Sequence, residues 1–137
     1  MAAVDLAVQR LKLEEGFRSK VYRDTVGKQT IGYGLNLDAG ISERLASFIL
    51  SFLVREIEEQ LLTYRWYSGL DDVRRAVILD VAFNCGVDGL LHFPKMISAL
   101  LAKNWTAASQ ELLDSDAARL NSSRYRALSQ ALLKGQP

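Results

Sequence analysis

Most of this chain repeats its apolar residues at helical spacing, and one short segment does not. From Val21 to Leu37 the sequence reads VYRDTVGKQTIGYGLNL, with β-branched and aromatic residues broken by Asp24-Thr25-Val26-Gly27 and by Gly32-Tyr33-Gly34. Alternation punctuated by such turn residues predicts a β-hairpin, with a short third strand near Leu35 and Leu37. It is the only convincing β-structure in the chain. The expected fold class is therefore α+β, mostly α, with a small N-terminal β-hairpin lobe joined by a long helix to a C-terminal helical lobe.

The flanking periodicities set the helices. Val4, Leu6, Val8, Leu11 and Leu13 predict a first helix that ends near Glu15 and Gly16, where glycine accepts a positive φ without a Cβ clash. Asp38-Ala39-Gly40 reads as a turn and Ser42 as an N-cap. Leu45, Phe48, Ile49, Phe52, Leu53, Ile57, Leu61 and Tyr64 then repeat at helical spacing, long enough for a helix that bridges two lobes. Asp71 opens a further helix with Val73, Ala76, Val77, Leu79, Ala82 and Phe83 inward, ended by Gly86-Val87-Asp88-Gly89. Pro94 starts another through Leu101, Asn104 caps one containing Trp105 and Leu112, and Asn121 to Ser123 open a last one ending at Gly135.

Composition narrows the function classes. At 137 residues the chain is one domain, or two lobes sharing a core. Its 49% hydrophobic and 24% charged residues suit a globular protein with a real core. Cys85 is alone, so no internal disulfide forms, and its apolar helical context predicts buried filler rather than a nucleophile. His92 is expected in a loop or cap. One histidine and one cysteine build no metal site, and no cofactor is expected. Basic and acidic residues number six and five in residues 1–41, five and eight in 42–93, and six and three in 94–137, giving net charges of +1, −3 and +3. That modest C-terminal excess suits an anionic polymer such as cell-wall glycan, and no dense basic run suggests nucleic acid. Asp5 and Gln9 interrupt the N-terminal apolar positions, so neither a secretory signal nor a stable membrane insertion is expected, and synthesis in a cytoplasm is.

Chemistry concentrates in EEGFRSKVYRDTVGKQTIGYG, residues 14–34. Two carboxyl groups in different environments are the minimum for hydrolysing a glycosidic bond, and Glu15 and Asp24 provide them from two rigid elements. As a general acid, Glu15 needs partial burial to stay protonated, which the helix turn and Phe17 would supply. Its plainer reading is a solvated helix end. Asp24 reads either as a second carboxylate acting through water or as a turn aspartate bonding its own backbone. Thr30 reads as a water-holding hydroxyl or as an ordinary strand residue. The spacing Glu, eight residues, Asp, five residues, Thr, then Ile-Gly-Tyr-Gly, is far more restrictive than any member alone.

That pattern resembles the active-site segment of the phage-type lysozymes, E-G…Y-x-D-x-x-G…T-I-G-x-G, and is nearest their T-even branch. Gly69-Leu70-Asp71-Asp72-Val73-Arg74-Arg75-Ala76 resembles the start of that family's second lobe. Phe83-Asn84-Cys85-Gly86, Gly89, Phe93 and Asn104-Trp105 follow in the family's order. The resemblance implies a first lobe over about residues 14–41, a linking helix over about 42–65, and a helical lobe over about 70–137 that the N-terminal helix joins. It implies Glu15 as general acid, Asp24 and Thr30 positioning the attacking water, and Arg124 pairing with the glutamate, with Arg126 as the alternative register. Asn36, Phe83 and Asn84 would line the glycan cleft. Leu35 departs from the histidine that follows Gly-x-Gly in the nearest relatives, and Met96 and Glu111 depart at cleft positions.

The implied protein is a monomeric endolysin with peptidoglycan as its partner, acting as an N-acetylmuramidase with inversion and needing no metal or cofactor. It would be made in the host bacterial cytoplasm and reach the cell wall through a holin-type pore. A non-catalytic glycan-binding or virion structural module would have lost Glu15 or Asp24, and both are present. A tail-associated lysozyme would share the chemistry but not the location. A helical interaction protein would use the apolar run from Leu45 to Tyr64. A transglycosylase would need only the glutamate, and the presence of Asp24 and Thr30 favours hydrolysis.

Overall fold

The computed structural model describes residues 1–137, with eight helices and one three-stranded antiparallel sheet, an α+β fold in which helix dominates. The chain divides into two compact units, residues 1–48 and 49–137.

The first unit opens with α1 (Ala3–Glu15), which stops where Gly16 turns to φ +69° and donates its N–H to Lys12 O at 3.2 Å. The sheet follows in chain order as β1 (Arg18–Arg23), β2 (Gln29–Gly32) and β3 (Leu35–Asn36). Tyr22 pairs with Thr30, and Thr30 with Asn36, so these three residues form one row across the sheet and share a face. Register breaks between Arg18 and Tyr22, so the alternation of β1 does not carry down to its first residue. The third strand, expected near Leu35 and Leu37, is two residues long.

The division between units falls inside α2 (Glu43–Leu61). Ser42 caps this helix as expected, its Oγ accepting from the Leu45 N–H at 3.1 Å. The helical repeat is present, but most of its apolar residues are not covered. Phe48, Ile49, Phe52 and Leu53 are exposed, and only Leu61, in the last turn, is fully buried. Periodicity marks an apolar stripe but not what covers it.

The second unit continues with α3 (Arg65–Ser68), α4 (Asp72–Leu91), α5 (Pro94–Leu101), α6 (Trp105–Leu113), α7 (Asp116–Leu120) and α8 (Ser122–Lys134). The hydrophobic core lies here, in Leu61, Tyr67, Ile78, Val81, Leu90, Met96, Leu100, Leu112, Tyr125 and Leu132, all essentially without solvent contact. Burying each aliphatic side chain of this kind stabilises the fold by about 1.5–3 kcal/mol. The buried stripe of α4 is Val77, Ile78, Val81 and Ala82, so Ala76 and Phe83, expected inward, are exposed. Almost every position there is apolar, which leaves the centre of the stripe undetermined by composition. Gly86, at φ +79°, breaks α4, but helix resumes beyond it to Leu91 where an ending had been expected. The short α3 and α7 escaped prediction because four or five residues show no period. Ser115 was nevertheless a readable cap for α7, and its Oγ accepts from the Ala118 N–H at 3.1 Å.

Arg74 ties the end of α8 to this unit. Its Nε donates to Leu132 O at 2.7 Å and its Nη2 to Leu133 O at 3.1 Å, satisfying carbonyls that a helix end leaves free. Nη1 meets Asp71 Oδ2 at 2.8 Å, and the guanidinium lies 3.9 Å from the Trp105 ring centroid. Gly135 caps α8 at φ +66°, and a Cβ there would fall 2.8 Å from Arg74 Nη1. No single helix is long and apolar enough to cross a membrane.

Candidate active site

Glu15 is the last residue of α1, and its side chain reaches the turn between β2 and β3. A Cβ placed on Gly34 would lie 2.6 Å from Glu15 Oε2. Glycine is thus required there twice, for its φ of +77° and for the space that the carboxylate occupies. The same turn is held against the helix end by Tyr33. Its ring lies 5.5 Å from Lys12 Nζ and 5.6 Å from the Phe17 ring. Glu15 itself is exposed, and Phe17 is 66% exposed, so the burial expected of this carboxyl group is not provided. Phe17 follows the helix stop at Gly16, which leaves its ring on Tyr33.

Asp24 closes the first turn. Its Oδ1 accepts from the backbone N–H groups of Val26 at 3.0 Å and Lys28 at 2.8 Å. Asp24 N–H donates to Lys28 O at 2.9 Å, and Gly27, at φ +82°, donates to Asp24 O at 3.0 Å. The turn role of Asp24 is therefore realised, and it engages one oxygen. Oδ2 carries no hydrogen bond within the chain, so the aspartate is rotationally fixed with one acceptor left open. Thr30 is 4% exposed, the one buried side chain of the first unit, and its Oγ1 donates to Lys28 O at 2.9 Å. Asn36, in β3 directly opposite Thr30, accepts the Asp38 N–H on its Oδ1 at 3.0 Å. Glu15, Asp24, Thr30 and Asn36 thus belong to one unit organised by a single three-stranded sheet.

The remaining expected residues lie in the second unit. Phe83 is 45% exposed, and Asn84 is exposed with its Oδ1 accepting from the buried Tyr125 hydroxyl at 2.7 Å. Arg124 has Asp80 as its ion-pair partner, with Nε at 2.8 Å and Nη2 at 2.5 Å from Oδ1. Arg126 is exposed. Met96 is fully buried, and with Glu111, His92, Lys95 and Asp116 it borders an open groove of about 510 Å³. Cys85 is half-buried, donates to Val81 O at 3.1 Å, and has its thiol pKa pushed up by burial, so it stays protonated and inert. His92 caps α4, its Nδ1 2.6 Å from Asp88 O.

Sequence reasoning missed the parts played by Gly34, Asp80 and Tyr125. Asp80 and Asn84 do stand four residues apart, which places them on one face of α4, as Arg124 and Tyr125 are adjacent in α8. Nothing in the sequence pairs the two helices.

Comparison with known proteins gives the family. The phage lysozyme family profile matches residues 12–131. Two curated relatives from Dictyostelium discoideum are similar: probable T4-type lysozyme 1 is 26% identical over 137 aligned residues, and probable T4-type lysozyme 2 is 25% identical over 136. Each alignment covers 77% of this chain and 80% of the relative. The match spans both the hairpin and the helical unit. This chain belongs to the phage lysozyme family, whose members are lysozyme-type hydrolases.

Proposed function

We propose that the protein is an N-acetylmuramidase that hydrolyses the β-1,4 bond between N-acetylmuramic acid and N-acetylglucosamine in bacterial peptidoglycan. One observation carries this reading: the Glu15 carboxylate lies against the Gly34 turn of the same small sheet that fixes Asp24 with one oxygen open. Bound glycan supplies the cover that the chain itself does not, and Glu15 donates a proton to the glycosidic oxygen as the C1–O bond breaks. A water attacks the anomeric carbon and its proton passes to Asp24, so one water is added per bond cleaved. The Thr30 hydroxyl spends its hydrogen on Lys28 O and keeps lone pairs to accept from that water. Inversion follows if the water stands between Asp24 and the sugar face. Asn36, Phe83 and Asn84 would contact the glycan. The orienting role that the family resemblance gives Arg124 belongs to this proposal, although its ion-pair partner in the structure is Asp80.

As a phage-type enzyme the protein would serve host lysis as a monomeric endolysin, made in the bacterial cytoplasm and released to the wall through a holin-type pore. Turbidity loss of outer-membrane-permeabilised Gram-negative cells tests the chemistry, with mass spectrometry of the released muropeptides. Clearing by wild type, with reducing muramic-acid ends and one added water, is expected. Glu15→Gln, folded to the same extent, should not clear. A 1,6-anhydro product would replace hydrolysis by transglycosylation, and no clearing by the wild type would refute the proposal.

A further inference from the structure

We propose that Tyr125 is a positioning residue: its hydroxyl holds the Asn84 amide oxygen inward, so that Asn84 presents its NH2 group as a fixed donor to a carbonyl of the bound glycan. The proposal rests on the muramidase reading above and names a device within its binding surface.

Tyr125, near the start of α8, has no solvent exposure, while Asn84 on α4 is exposed. The phenol donates to Asn84 Oδ1 at 2.7 Å and has no other acceptor. Turning the amide over would make Nδ2 the donor and strand the phenolic hydrogen, buried, without a partner. Only one amide orientation satisfies both groups. Burial is the main cause that raises the Tyr125 pKa, Cys85 and Asp80 add to it and Arg124 opposes it, so the hydroxyl remains a donor at neutral pH.

A second link keeps this arrangement from drifting. Asp80, one helical turn before Asn84, binds Arg124, the neighbour of Tyr125, through Nε and Nη2. Two adjacent cross-links therefore hold α8 against α4, and the phenol cannot follow a swinging amide. Asn84 Nδ2 makes no hydrogen bond within the chain, which leaves both its hydrogens for a ligand. A fixed amide donor selects an acceptor, here a carbonyl. Peptidoglycan offers two kinds, the acetamido group of its amino sugars and the amides of its stem peptide.

The test is a double-mutant cycle on permeabilised cell walls with Tyr125→Phe, Asn84→Ala and the pair. Tyr125→Phe keeps the ring and removes the donor. It should raise KM about three- to tenfold with kcat unchanged. Asn84→Ala should do at least as much, and the double variant no more than Asn84→Ala alone. A KM effect of Tyr125→Phe that persists in the Asn84→Ala background, or no KM effect at all, overturns the proposal.

A binding readout free of turnover accompanies the cycle. The 15N-labelled Asn84 side-chain amide is followed while tetra-N-acetylchitotetraose, its de-N-acetylated form, or free stem peptide is added. A shift with the acetylated sugar alone supports the device and identifies the acetamido carbonyl; a shift with the stem peptide supports it and identifies the peptide carbonyl. Both shifts should weaken in Tyr125→Phe. Undiminished shifts in that variant, or none in the wild type, overturn it. If the wild type shifts but does not cleave, the muramidase reading fails and the positioning role stands.

Discussion

The two units of this protein are stabilised by different means. In residues 49–137 the structure is a packed core, with Tyr67, Ile78, Leu112, Tyr125 and Leu132 essentially out of solvent. In residues 1–48 one side chain, Thr30, is buried, and order comes from turns: the Asp24 oxygen on two backbone N–H groups and glycines at positive φ. The candidate acid Glu15 and the proposed water-positioning residues Asp24 and Thr30 all lie in the second kind of structure. Hydrogen-bonded turns fix where a carboxylate sits while leaving it in contact with solvent, which a dense core cannot do. On the proposed function, the difference separates chemistry from stability, and substitutions should separate them too.

The sharpest contrast pairs Glu15→Gln with Leu112→Ala. The first should lower hydrolysis by about 10²–10⁴-fold with the melting temperature unchanged. The second empties a fully buried site and should cost about 2–5 kcal/mol of unfolding free energy, measured by urea denaturation, while the folded fraction keeps its specific activity. Equal losses of stability and activity in both variants would dissolve the distinction.

Gly34→Ala probes the junction between turn and chemistry. The positive φ alone should destabilise by about 1–3 kcal/mol, and the new methyl group must displace Glu15. Activity per folded molecule should therefore fall as well. A variant that is less stable but fully active would show that the Glu15 position is not critical.

A smaller effect is expected at Arg124 and Asp80, a pair about one-third exposed on each side. Removing either partner should cost up to about 1 kcal/mol in thermal or urea unfolding. If Arg124 serves only α4, both alanine variants will look alike in turnover. A loss of turnover specific to Arg124→Ala would give the guanidinium the orienting role that the family resemblance implies.

The smallest effect is one of pH. Desolvation pushes the Asp71 pKa up, but hydrogen bonds from the Arg74 side chain and backbone N–H, with the Arg74 charge, outweigh it and leave the carboxyl below its usual value. A depressed folded-state pKa adds stability above the unfolded pKa of about 3.9 and loses it as pH falls through the folded value. Wild type should therefore lose more stability than Asp71→Asn when acidified below about pH 4. Parallel curves in that window would remove the contribution of this cap.

Much of this was legible from local chemistry. Turn residues and alternation located the hairpin, and Ser42, Asp71, Asn104 and Asn121 each accept the backbone N–H expected of a cap. These signals act within a few residues, so a sequence carries them whole. Burial was read less well. Phe83 and Ala76 were placed inward, and Phe17 was expected to shield Glu15, because an apolar residue advertises its need for cover but not the neighbour that supplies it.

By itself, then, the sequence determined the order of the longer elements, several of their caps and the candidate groups for glycosidic chemistry, since these depend on backbone sterics and side-chain type. Tertiary structure alone decided that Asp24 spends one oxygen on its turn, that Glu15 rests on Gly34, and that Asp80 and Asn84 meet Arg124 and Tyr125. Those contacts join residues 19 to 44 positions apart, or hinge on a single rotamer. No local propensity encodes them; they exist only once the core and the sheet have set the distances.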